Sequence, residues 1–249
     1  MRNLKGIYTI WLRDVTRFWR DKPRIVGAIA QPSLFLFILG SGLAPAFSRG
    51  GGGDYIKFLY PGIISMTVLF TSIFSGISII WDREFGFLKE VLVAPISRTA
   101  VTLGKALGGS TVAMMQGAIM LIFAPVVGVP LGFVEAIKLI AIMFLISFCF
   151  TSMGIVVAAR MKSMEGFQMV MNFFLLPMFF LSGAMFPVRG LPVWMKTLVR
   201  IDPLSYGVDA LRSITIGVAQ YSLLYDLTVI TAVGLVMITI AVVAFNIQD

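Results

Sequence analysis

Side chains able to carry charge or form strong hydrogen bonds are scarce in this chain and gather in a few stretches. The densest after the N-terminus is Asp82–Arg98, DREFGFLKEVLVAPISR. Asp82, Arg83, Glu84, Lys89 and Glu90 stand there among Phe85, Phe87, Leu88, Val91 and Leu92. Positions 85, 88 and 92 share one helical face, and 87, 91 and 94 widen it. Pro95 ends the helix, because the residue before a proline disfavours the α region. A short helix with charges on one side and aromatics on the other, tethered between apolar runs, suits either headgroup contact or pressure on a partner protein.

The N-terminus repeats the theme. Leu4, Tyr8, Trp11, Val15 and Phe18 recur at spacings of four, three, four and three, and Arg13, Arg17, Arg20 and Arg24 repeat that spacing on another face. This predicts an amphipathic helix over 3–22 lying flat in the headgroup region. The start is too long and too polar for a cleavable leader.

Bond-making chemistry finds no support. The chain has no histidine and one cysteine, Cys149, so imidazole catalysis and an internal disulfide are excluded. No Ser/His pair, HExxH or carboxylate dyad is present, and no metal-ligand set is expected. Gly104–Lys105 is not a phosphate-binding loop, since GxxxxGK[ST] meets Thr99 at its first position and Ala106 at its last. Catalytic, cofactor and metal sites are therefore all expected to be absent from this chain.

Composition explains the scarcity. Of 249 residues 58% are hydrophobic and 13% charged, against about 25% charged in soluble domains. Mean hydropathy is +0.94. This is an all-α integral membrane protein, forming one domain over 1–249. The net charge of +8 suits anionic lipid rather than nucleic acid. Six spans are expected at about Ile25–Leu43 (with Pro32 kinking it), Phe58–Ile80, Leu103–Val127, Ala136–Ala158, Phe167–Phe186 and Leu223–Phe245. Residues 44–57 read as a polar loop. Gly104 and Gly108 form a GxxxG that permits close helix approach. Residues 187–222 read as an outer re-entrant segment of two short helices. Lys105, Lys138 and Asp226 fall near span ends, where side chains reach the interface. Spans nearly free of ionisable groups argue against a proton- or sodium-coupled carrier. Lysine and arginine are concentrated in 1–24, 82–98 and 160–162, which places both termini and the 82–98 helix in the cytoplasm.

Three segments together resemble the permease subunit of type-2 ABC transporters, near the daunorubicin-resistance and nodulation-export branch. They are REFGFLKEVLVAPISR at 83–98, LSGAMFPVRGLPVWMKTLVRIDPLSYGVDALR at 181–212, and the RD…FWRDK start before the first span. The resemblance implies an exporter in the cell's inner (plasma) membrane. It would contain two permeases, expected as a homodimer, and two separate ATP-binding subunits that hold the ATP and magnesium. The 82–98 segment would be a coupling helix, with Asp82, Arg83, Glu84, Phe85, Gly86, Leu88, Glu90 and Arg98 at the ATPase contact. Arg13, Arg17 and Arg20 would add a second contact or bind lipid headgroups. The path would run between the permeases along spans one, two and five. Gln31, Ser33, Phe35, Phe37, Thr71, Phe74, Asn172, Phe173 and Phe180 would line it. Pro187, Pro192, Trp194, Asp202, Pro203, Tyr206 and Arg212 would build the outer gate. An aromatic and hydroxyl lining suits a hydrophobic drug or lipid-like cargo. A polysaccharide or lipid-linked glycan is the alternative cargo, and a non-transporting membrane scaffold the alternative class.

Overall fold

A computed structural model describes residues 2–49, 54–84, 96–161, 163–188 and 190–246. Among these the chain is helical. The helices are α1 (Arg2–Arg20), α2 (Lys22–Arg49), α3 (Tyr55–Ser75), α4 (Ile77–Glu84), α5 (Arg98–Ile119), α6 (Ala124–Val127), α7 (Phe133–Arg160), α8 (Met164–Leu181), α9 (Val193–Ile201), α10 (Pro203–Thr215) and α11 (Leu223–Asn246). A 3-10 turn, Met120–Phe123, joins α5 to α6.

Six stretches are long and apolar enough to cross a bilayer: Ile25–Arg49, Tyr55–Glu84, Arg98–Val127, Phe133–Arg160, Met164–Leu181 and Leu223–Asn246. The expected six spans are therefore present. Hydrocarbon cannot satisfy backbone N–H and C=O groups, so long apolar segments close their hydrogen bonds within a helix. Boundaries differ from the sequence reading. Residues 44–49 continue α2 instead of forming a loop, and the helix runs through both Pro32 and Pro45.

Local signals set the ends. Asp54 caps α3 by accepting from the Ile56 and Lys57 amides. Ser97 caps α5 through the Ala100 amide at 3.1 Å, and Ser163 caps α8 through the Gly166 amide at 3.1 Å. Gly128 closes α6 in the left-handed region, φ 75°, where glycine carries no steric penalty. Pro203 opens α10, its missing N–H being one a helix start leaves unpaired anyway.

The core is α3 packed against α5 and α7, with α11 packed on α7, α10 and α5. Two thirds of the apolar window of α3–α4 is buried (67%), but only 17% of that in α2 and 22% of that in α8. α2 and α8 are therefore the peripheral spans. α3 and α7 cross at Gly76 and Gly154, where a Cβ on Gly154 would lie 2.6 Å from the Ile73 carbonyl oxygen and one on Gly76 2.8 Å from the Gly154 oxygen.

The predicted N-terminal helix is present but runs beside the bundle rather than across it. Asn3 meets Ser97, and Ile10 and Asp14 sit against Gly104 and Gly108. All three pairs are 94 residues apart, so α1 and the start of α5 advance side by side. The GxxxG pair thus receives α1 rather than another span. Tyr55–Glu84 and Arg98–Val127 are each 30 residues long. They reach about 45 Å against about 30 Å of hydrocarbon, so the bundle has room for α1 alongside its projecting end. Leu4, Tyr8, Leu12 and Trp19 face outward from α1. The termini share that end: the Ser97 amide donates to Asn3 Oδ1 at 3.2 Å and Arg98 donates to the Asn246 carbonyl at 2.9 Å.

Candidate coupling site, cargo cavities and outer turn

A four-charge cluster lies where α1, α4 and α5 converge. Asp82 Oδ2 accepts from Lys105 Nζ at 2.6 Å and from Arg13 Nη2 at 2.9 Å. Asp14 Oδ1 is 3.9 Å from Lys105 and 3.4 Å from Arg13. Lys105 also donates to Ser78 Oγ at 3.0 Å. The Lys105 side chain is 5% exposed, Asp82 12%, Asp14 14% and Arg13 32%. Two cations and two carboxylates leave no net charge. Each side chain needs the others, because an unpaired buried ion costs several kcal/mol. This corrects the reading of Lys105 as a residue that reaches the interface: it points into the bundle.

The cluster fixes the end of α4, at the start of the 82–98 segment. Arg83 adds a second hold, donating to the Met161 carbonyl at 2.9 Å and the Ala159 carbonyl at 3.3 Å. Those carbonyls end α7, where a cation matches the helix dipole. Arg17 stacks over the Trp81 ring at 4.5 Å. Glu84 is exposed, as are Arg17 and Arg20. On the far side of the segment, Arg98 grips the end of α11. Phe85, Gly86, Leu88 and Glu90 lie outside the described residues. Both flanks of 85–95 are thus tied by charged contacts to α1, α5, α7 and α11.

Two cavities open within the bundle. One, of about 240 Å³, includes Gln31, Thr71, Phe74 and Gln116 in its lining, and Thr71 hydrogen-bonds Gln116. The other, of about 300 Å³, is bordered by Asp14, Arg17, Asp21, Phe74, Trp81 and Gln168, among others. Phe74 lines both. Of the nine path residues, the fold brings Gln31, Thr71 and Phe74 into one cavity. Ser33 donates to the Ile29 carbonyl of its own helix at 2.7 Å. Phe35 and Phe37 are exposed on α2, with Phe37 edge-on to Phe123. Asn172, Phe173 and Phe180 lie on the outward side of α8, apart from both cavities.

The segment 182–222 closes the opposite end. Arg212 donates to the Gly183 carbonyl at 3.0 Å and lies 4.1 Å over the Phe58 ring. Burial lowers its pKa to about 10, partly opposed by Asp209, so it stays cationic. Tyr206 donates to the Arg200 carbonyl at 2.8 Å, tying α10 back to α9. Its ring joins those of Tyr221 and Tyr225. Asp209 accepts from the Gln220 and Tyr221 amides. Pro187 is exposed, Pro192 leads into α9 and Trp194 is 64% exposed. α10 is mostly buried. Asp226 is fully buried, and neither carboxyl oxygen has a hydrogen-bond partner among the described residues. Its expected reach to the interface is thereby corrected: α11 turns it toward Asp209 on α10.

Asp202 gives a pH test. Its Oδ1 accepts from the Leu204 amide at 2.9 Å, while Oδ2 is buried without a partner. Burial raises its pKa to about 7, against the lowering effect of that amide. A carboxyl raised on folding favours the fold when protonated. That stability is complete below about pH 4 and is lost as pH rises to 7, a difference of about 4 kcal/mol by linkage. Asp202→Asn keeps the cap oxygen and removes the charge. Between pH 5 and 7.5 the thermal midpoint of the parent protein should fall, and that of the variant should fall less steeply. Parallel curves would sink this account.

Sequence reading misplaced Lys105 and missed Asp14, Gln116 and Asp209. The first two are separated by 91 positions along the chain, and no local pattern pairs them. An amide in a span was the available signal for Gln116.

Comparison with known proteins agrees with this architecture. The family model described as "ABC-2 type transporter" matches residues 5–216. Nodulation protein J of Rhizobium leguminosarum bv. trifolii is 31% identical over 215 residues, covering 84% of this chain and 80% of that protein. Nodulation protein J of Rhizobium meliloti (strain 1021) is 32% identical over 198 residues, 78% and 74% of the two chains. The putative transport permease ycf38 of Cyanophora paradoxa is 30% identical over 213 residues, 84% and 73%. With six apolar helices and a match across most of its length, this chain belongs to the ABC-2 type transporter family, as a multi-pass membrane permease.

Proposed function

We propose that this permease is the membrane subunit of an ATP-driven exporter for a hydrophobic drug or lipid-like compound. Two copies pair with two separate ATP-binding subunits in the inner membrane. Both termini face the cytoplasm, and the 82–98 segment receives the ATPase. Glu84, with Phe85, Gly86, Leu88 and Glu90, forms that contact, and Asp82, Arg83 and Arg98 hold its two ends to the bundle. Arg17 and Arg20 extend it or hold lipid phosphates, whereas Arg13, first expected with them, is engaged by Asp82. The observation that carries the reading is the double anchoring of the segment. A force applied to 85–95 meets Asp82–Lys105 and Arg83–α7 on one side and Arg98–α11 on the other. Displacement there passes into spans as rigid-body motion. Cavities of about 240 and 300 Å³ within one chain support an amphiphilic cargo.

The test is co-reconstitution with a candidate stand-alone ABC ATP-binding subunit. ATP-driven uptake of a labelled hydrophobic compound into inside-out vesicles is expected. Glu84→Lys, which reverses an exposed charge at the contact, should cut that uptake about tenfold. Uptake that proceeds with no ATPase present, or an ATPase that never binds the permease, would end this reading.

A further inference from the structure

We propose that Gln116, on the third span, determines cargo specificity by hydrogen-bonding an uncharged hydroxyl, amide or carbonyl group of an amphiphile seated in the 240 Å³ cavity. This rests on the transport reading above. Gln116 is 1% exposed and shares the cavity with Gln31, Thr67, Thr71, Phe70 and Phe74. None of the cavity's lining residues is ionisable. The Thr67 hydroxyl is already spent on the Ile63 carbonyl of its own helix at 3.0 Å. Thr71 engages the Gln116 oxygen. A glutamine amide has two N–H donors and a second acceptor site besides. Among the described residues Gln116 makes no other hydrogen bond, so this capacity is left for whatever fills the cavity. An amide facing hydrocarbon at this depth is costly. The cavity far exceeds the 10–15 Å³ or so that one water needs.

The neighbouring cavity sets the contrast. It carries Asp14, Arg17 and Asp21, and only Phe74 lines both spaces. A charged group entering the 240 Å³ cavity finds no counter-charge there, and its desolvation cost is not recovered. An uncharged polar group loses little and gains the Gln116 amide. The 240 Å³ cavity therefore admits uncharged polar heads and rejects ionised ones.

The test uses the purified permease in phosphatidylcholine nanodiscs with three probes bearing the same fluorescent acyl chain: diacylglycerol, phosphatidic acid and an alkylamine. Energy transfer from protein tryptophan reads binding. The parent protein should bind diacylglycerol about tenfold more tightly than either charged probe, as one or two buried hydrogen bonds would give. Gln116→Leu should lose that tenfold and leave the charged probes unchanged. Gln116→Glu should shift preference to the alkylamine, and Gln116→Asn should retain part of the diacylglycerol preference. Equal binding of all three probes by the parent overturns the proposal, as does an unaltered order in Gln116→Glu, which needs no Leu variant to fold. ATP-driven movement of the diacylglycerol probe is scored separately. Gln116-dependent binding without movement would overturn the transport reading and leave this site standing.

Discussion

Lys105→Met should destabilise the permease by about 3–5 kcal/mol, the range for removing one partner of a buried ion pair. The lysine is the most enclosed member of the cluster and the closest partner of Asp82. Without it, Asp82 and Asp14 face each other with Arg13 as the cation between them, so one buried negative charge is left over. Methionine fills a similar volume, which confines the loss to charge. Lys105→Met/Asp82→Asn restores neutrality and should recover most of the stability. The pair should therefore show a large coupling energy in a double-mutant cycle. Thermal unfolding in nanodiscs measures it. Additive losses in the double variant would show that the cluster does not hold α4 in place. Asp14→Asn should cost less, since Asp14 is farther from the lysine.

Gly154→Ala should cost about 2–3 kcal/mol, as overpacking a tight contact does. Its added carbon would meet the Ile73 carbonyl oxygen at 2.6 Å and the Ile73 Cα at 3.0 Å. Both are backbone atoms of α3, so relief requires the two core helices to separate. Gly154→Leu should prevent accumulation in the membrane altogether. Gly27→Ala is the internal control: nothing lies within 4 Å of its new carbon. It should be neutral or gain up to about 1 kcal/mol from helix propensity. Equal midpoints for the two alanine variants would refute the close crossing of α3 and α7.

Much of the scaffold was readable one segment at a time. Six apolar stretches became six long helices because each satisfies its backbone within itself. Asp54, Ser97 and Ser163 cap helix starts, a local signal that the expected span boundaries did not use. Two helices were expected between residues 187 and 222, and α9 and α10 occupy that interval. The GxxxG at Gly104 and Gly108 signalled a close approach, but its occupant was not legible. A small face accepts any helix that reaches it, and α1 is the one delivered there.

The site residues were legible to a lesser degree. Charge density singled out Asp82 and Arg83, and helical spacing singled out Arg13. Their common engagement depends on where three helices cross, which no window of sequence contains. Lys105 and Asp226 were misjudged for one reason. Position near a span end permits a side chain to reach water, but helix rotation decides whether it points there. In both cases neighbouring helices turned it inward, toward Asp82 and toward Asp209. Gln31, Thr71 and Phe74 come together because α2 and α3 pack side by side, whereas Asn172, Phe173 and Phe180 sit on a helix with little buried surface.

By itself, the sequence determined that this is a six-span helical membrane protein with an amphipathic start and a charged segment between its second and third crossings. Those features follow from local hydropathy and charge spacing, which need no partner elsewhere in the chain. Tertiary structure alone decided which charges neutralise one another, which amide faces a cavity and which glycines carry the core crossing. Each depends on the rotation and separation of two or more helices, quantities set by packing between residues far apart in the chain.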